Sequence, residues 1–126
     1  MKKIINTGKA PRAVGPYNQA VSIDNLLFTS GQIPMDPASG KLVEGDIRQQ
    51  TRRVMENLKA ILEAARTDFS MVIKATVYLD DIADFNQVNE VYAEYFPAEQ
   101  PSRSAVQVAA LPLGAKVQIE MIACLQ

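Results

Sequence analysis

The apolar positions of the chain change period in an orderly way. Ala20 to Ile23 and Leu26 to Thr29 are short extended runs separated by Asp24-Asn25, residue types that tolerate positive φ, and they predict a β-hairpin. The segment Gly31 to Gly40 carries prolines at 34 and 37 and closes on glycine, which predicts a loop with a turn over 36–40. From Asp46 to about Ala65, the residues Ile47, Val54, Leu58, Ile61, Leu62 and Ala65 recur at threes and fours, with Thr51 filling the gap. That spacing predicts an amphipathic helix with Asp46 as its N-cap. Val72 to Leu79 alternates: Ile73, Ala75, Val77 and Leu79 are expected on an apolar face, with Val72, Lys74, Thr76 and Tyr78 on the other. Phe85, Val88, Tyr92 and Phe96 return to helical spacing, predicting a second helix capped by Asp84, running through Tyr95 or Phe96 and stopped by Pro97. Two strands close the chain, about Arg103 to Ala110 and Lys116 to Leu125, and Leu111-Pro112-Leu113-Gly114-Ala115 is expected to join them as a hairpin.

Helices that return the chain to a sheet predict an α+β sandwich, a mixed sheet with both helices on one face. The other face then needs a cover. In the last strand, Val117, Ile119, Met121 and Ala123 fit the helix side, but Ile122, Cys124 and Leu125 make the opposite side apolar as well. Another subunit is the expected cover. The alternative is that the N-terminal strand and the 31–45 loop fold over it.

The length of 126 residues suits one domain, 1–126, with one core. No internal repeat divides it. A formal net charge of −1 describes an ordinary globule and implies no electrostatic partner, which disfavours nucleic acid. Met1-Lys2-Lys3 is followed only by Ile4-Ile5 before polar residues, so no signal-peptide core is visible, and no run approaches membrane-spanning length. The expected compartment is the cytoplasm. The chain has no histidine and one cysteine, Cys124. This removes Ser-His-Asp relays, imidazole metal sites and internal disulfides, and no Gly-rich phosphate cradle takes their place.

Carboxylates, tyrosines, backbone amides and arginine remain. Arg103 stands between Ser102 and Ser104, and on its strand it shares a face with Ala105, Gln107 and Ala109, small enough in part to leave room above them. A guanidinium fork over a space holds a carboxylate by two parallel hydrogen bonds. Equally, it can pair with some side chain as scaffolding. Glu120 shares its face with Gln118 and Ile122; with Gln107 opposite Glu120 it would project from the same face as Arg103, several residues away along it, and a one-residue slip would put the two on opposite faces. Gly15-Pro16-Tyr17 sets a phenol on a turn, and Thr29-Ser30-Gly31-Gln32 ends a strand where backbone amides can approach an anion, or where the strand simply stops. Arg48, Arg52 and Arg53 lie among Glu56 and Glu63 with no interleaved aromatic, which describes a solvated helix face.

Taken together, GPY at 15–17, TSGQIP at 29–34, Asn89-x-x-Tyr92-x-x-x-Phe96, PSRSAV at 101–106 and VQIEMIA at 117–123 resemble the RidA (YjgF) family along essentially the whole chain. The resemblance implies the chorismate-mutase-like fold of the Bacillus type, a homotrimer with a central β-barrel, and clefts between subunits. It also implies a cofactor-free, metal-free 2-iminobutanoate/2-iminopropanoate deaminase acting on enamines and imines such as 2-aminoacrylate and releasing 2-keto acids. By the same resemblance Arg103 holds the substrate carboxylate, Glu120 positions water, and Tyr17, Ser30, Gly31, Phe85, Asn89 and Ala105 line the cleft. Ala105 stands where some members carry cysteine, so only its backbone N–H can serve. The stretch Ala65-Arg66-Thr67 departs from the glycine turn of many members. A non-catalytic module that binds 2-keto acids, and a ribonuclease or translation inhibitor, are the competing readings.

Overall fold

The computed structural model describes residues 1–125. Six strands form one sheet: β1 (Lys3–Ile5), β2 (Ala20–Ile23), β3 (Leu26–Thr29), β4 (Val72–Leu79), β5 (Ser102–Gln107) and β6 (Val117–Cys124). Their order across it is β1-β2-β3-β6-β4-β5. The helices are α1 (Ile47–Ala64) and α2 (Phe85–Ala93). All neighbours are antiparallel except β4 and β5, which α2 connects as a parallel pair. The sheet is therefore mixed, as expected.

Asp46 caps α1 through a reciprocal box: its side chain accepts the Gln49 N–H at 3.0 Å, and the Gln49 side chain accepts the Asp46 N–H at 2.9 Å. Val54, Leu58, Ile61 and Leu62 then bury fully against the sheet. The helix closes with Arg66 at φ 62, where a glycine would sit without penalty, and Thr67 N–H reaches back to Leu62 O at 3.0 Å. The hairpin of β2 and β3 turns at Asp24, φ 52, as its residue types predict. Ala75, Val77 and Leu79 of β4 and Val117, Ile119, Met121 and Ala123 of β6 line the helix side of the sheet and pack with both helices in one core.

Four expectations are corrected. The register of β4 shifts between Val72 and Lys74, so Val72 continues the buried face and Ile73 turns outward, 46 % exposed. Asp84 makes no side-chain cap; Asp81 accepts the Ala83 N–H at 2.9 Å and starts a short 3₁₀ turn, Ile82–Asp84, that leads into α2. The α-helix ends at Ala93, and tighter turns carry the chain on to Phe96. Finally, β5 and β6 are not a hairpin. The α2 crossover returns β5 parallel to β4 at the sheet edge, and the 108–116 connection steps over β4 to place β6 on its other side. The burial demand explains the choice: β6 buries four apolar side chains and takes a central position, while Ser-Arg-Ser suits an edge.

Among the described residues nothing covers the second face, and Leu125, expected on it, packs against the core instead. β1 extends the sheet beside β2 rather than lying over it, and Asn57 of α1 holds the carbonyls of Ile33 and Met35, tying the loop to the helix side. Ile4, Ile23, Phe28 and Val106 remain 56, 47, 39 and 45 % exposed there.

Candidate active site

Alternation and register decide where Arg103 points. It pairs across with Ala75, and Ala75 with Met121, both buried on the helix side. On an edge strand Arg103 meets α2, whose Phe85, Asn89 and Tyr92 follow one another at i, i+4 and i+7 and so share a stripe. The Arg103 Cζ lies 5.4 Å from the Phe85 ring centroid and 4.9 Å from that of Tyr92, and Nη1 donates to Asn89 Oδ1 at 2.7 Å. Among the described residues no carboxylate pairs with it; the ion pairs are Arg48–Glu90 and Arg52–Glu94. The guanidinium is thus held by neutral groups with most of its N–H donors uncommitted. It borders a cleft of about 420 Å³ with Tyr92, Phe96, Gln100 and Pro101. A second cleft, of about 480 Å³, is lined by Ile82, Phe85, Asn86 and Ala105. Because the Val108 N–H bonds to Leu79 O at 2.9 Å, alternation turns the N–H groups of Arg103 and Ala105 to the free edge.

Glu120 is elsewhere. It pairs across with Thr76, and Thr76 with Ser104, on the uncovered face. There it lines a hollow of about 200 Å³ with Phe28, Thr29, Lys74, Thr76 and Ile122. Burial, and then the neighbouring Glu120 charge, push the Tyr78 phenol up from its ordinary value. Arg103 and Glu120 therefore project from opposite faces with β4 between them, and one chain does not bring them together.

Gly31 lies on the Glu120 side, with Ser30 beside it in the chain. Gln32 bridges to Ile119, which seats Gly31 against Gln118: a Cβ on Gly31 would fall 2.6 Å from Gln118 Nε2, so the close approach requires glycine unless that side chain moves. Ser30 donates through its hydroxyl to Asn18 O at 2.6 Å and through its N–H to Gln19 O at 2.9 Å. These bonds tie it to the turn at 15–17, where Tyr17 is 48 % exposed. The buried Gln19 amide fastens the same loop to the carbonyls of Thr7, Ala10 and Pro11. The chain thus gathers Phe85, Asn89 and Arg103 at the β5 edge, with Ala105 on the same face, and keeps Gly31 and Glu120 on the other side of the sheet, with Ser30 tied to the loop that carries Tyr17.

A family model described as Endoribonuclease L-PSP matches residues 7–125. The chain belongs to the RidA (YjgF) family. Among its RidA relatives, a 2-iminobutanoate/2-iminopropanoate deaminase of Bos taurus is 53 % identical over 98 % of this chain and 90 % of its own length. A RutC family protein of Pyrococcus horikoshii is 54 % identical over 98 % of each chain. The crystal structure of Escherichia coli TdcF with bound serine superposes with a TM-score of 0.94 at 46 % identity, covering 98 % of this chain and 99 % of that one. The α+β RidA fold is shared throughout. Tyr92, beside Arg103, entered the sequence reading as a core position of α2 and as part of the Asn89-x-x-Tyr92 motif, with no place in the site; its position three residues after Asn89, on the same helix face, is the signal that could have assigned one.

Proposed function

We propose that this RidA family member hydrolyses 2-imino acids, such as the imine of 2-aminoacrylate, to 2-keto acids and ammonia. The observation that carries the reading is the Arg103 guanidinium, oriented by Asn89 and two rings and paired with no carboxylate among the described residues. Arg103 takes the substrate carboxylate as a bidentate pair, with the outward N–H of Ala105 beside it. Water then adds to C2 of the C=N bond, the nitrogen gains a proton, and collapse of the resulting carbinolamine expels ammonia and leaves the C=O. Glu120 holds that water and passes its proton. The imine hydrolyses readily unaided, so orientation and one acid–base group suffice. The serine in the TdcF structure is an α-amino acid with the same carboxylate, which supports a small carboxylate ligand for this fold.

Since Arg103 and Glu120 face opposite ways, a complete site takes Phe85, Asn89, Arg103 and Ala105 from one copy and Tyr17, Ser30, Gly31 and Glu120 from the next. A homotrimer that turns the uncovered sheet faces inward as a β-barrel supplies such seams and buries Ile4, Ile23 and Phe28. The proposal places it in the cytoplasm, beside the pyridoxal-phosphate dehydratases that release such enamines. RNA cleavage, which the family description names, suits these residues less well: a strand of RNA calls for a basic track with stacking platforms, and Arg48 and Arg52 are already neutralised by Glu90 and Glu94.

The test is ammonia release from imines generated in situ by an amino-acid oxidase or a threonine dehydratase. Arg103→Ala is expected to abolish acceleration while remaining folded; full activity in that variant removes the arginine from the mechanism.

A further inference from the structure

We propose that Tyr92 is a positioning residue that holds the Arg103 guanidinium by its ring face, orienting the cation without neutralising it. The inference rests on Arg103 being the carboxylate-binding group. Tyr92 is 6 % exposed, and its hydroxyl has no hydrogen-bond partner among the described residues. A buried donor left unpaired works against stability, so what Tyr92 offers Arg103 is its ring and not its hydroxyl. The ring itself is well placed: Phe96 backs it at 4.7 Å between centroids, and the Arg103 Cζ lies 4.9 Å from its centre. Phe85 adds a second ring, and Asn89 fixes Nη1.

Every group that holds Arg103 is therefore uncharged. A glutamate at position 92 would grip the guanidinium more tightly, but it would compete for the same N–H donors that a substrate carboxylate needs. An aromatic quadrupole attracts the cation and engages none of those donors. Burial raises the Tyr92 phenol more than the nearby Arg103 lowers it, which favours the neutral ring. Tyr92 thus acts through Arg103 rather than on the substrate.

The test measures 2-oxobutanoate affinity by calorimetry, thermal midpoint and kcat for Tyr92→Phe, Tyr92→Leu, Tyr92→Met, Arg103→Ala and the Tyr92→Leu/Arg103→Ala pair. Removing the ring is expected to weaken binding about tenfold in both the Leu and Met variants, so that one unfolded variant still leaves a reading. Tyr92→Phe is expected to rescue most of that loss and to melt at or above wild type, because the unpaired hydroxyl is gone. In the Arg103→Ala background Tyr92→Leu is expected to weaken binding no further. Wild-type affinity in both Leu and Met variants, or a tenfold loss in Tyr92→Phe, overturns the assignment to the ring. Wild-type affinity in Arg103→Ala instead overturns the underlying reading of Arg103.

Discussion

Asn89→Asp changes one atom's charge and almost nothing of the shape. In the native chain, Asn89 Oδ1 accepts from Arg103 Nη1 at 2.7 Å, a short contact for a neutral acceptor. The guanidinium already lends that bond its charge; an aspartate would add the opposite charge on the acceptor and turn the contact into an ion pair. A substrate carboxylate would then have to share a guanidinium that already has an anionic partner. Hydrogen bonds to charged groups contribute about 1.5–3 kcal/mol, so the expected loss is roughly 10- to 100-fold in affinity for 2-oxobutanoate. The fold is expected to be as stable as wild type or slightly more so. Calorimetry and thermal melting measure both quantities on one preparation. Asn89→Ala removes the acceptor without adding a charge, and is expected to bind more tightly than Asn89→Asp. Equal affinities for the two variants, or the reverse ranking, would refute the view that Arg103 works because its charge is uncompensated.

Two predictions concern stability alone. Asp46→Ala breaks the capping box of α1, far from either half-site, and should cost about 1 kcal/mol, seen as a thermal midpoint lower by about 3–5 °C with KM unchanged. Tyr95 is pushed up to about 12, first by burial and then by Glu56, which accepts its hydroxyl at 2.7 Å. The folded value lies above that of an unfolded tyrosine, near 10, so this stability is fully present below about pH 10 and drains away as pH rises towards 12. Tyr95→Phe should therefore flatten the alkaline arm of a urea-midpoint profile, with Tyr78 and Tyr92, also raised, supplying what slope remains.

What the sequence reveals and what it hides divide along a physical line. Helix α1 was legible because capping residue and apolar period agree over 18 residues. The face of each residue in β6 was legible because strict alternation encodes it. Strand neighbours were not: period two says which side a residue faces, never which strand lies beside it, so β5 and β6 read as a hairpin although β4 separates them. The bulge at Val72–Lys74 defeats alternation in the same way, by inserting a residue that no pattern announces. For the site, Arg103 and Glu120 could each be picked out by residue type and motif, but their projection from opposite faces depends on strand order. Tyr92 was hidden by its own spacing, since a ring on the apolar stripe of a helix reads as core whether or not a cation rests on it.

The proposed division of the site between copies can be measured directly. Arg103→Ala and Glu120→Ala proteins, each expected to be inactive alone, are unfolded, mixed in equal amounts and refolded together. In a trimer assembled at random, about a quarter of the seams join an intact Arg103 to an intact Glu120, and roughly that fraction of wild-type deaminase activity is predicted. A mixture as inactive as its two components, in trimers shown to contain both chains, would contradict the account.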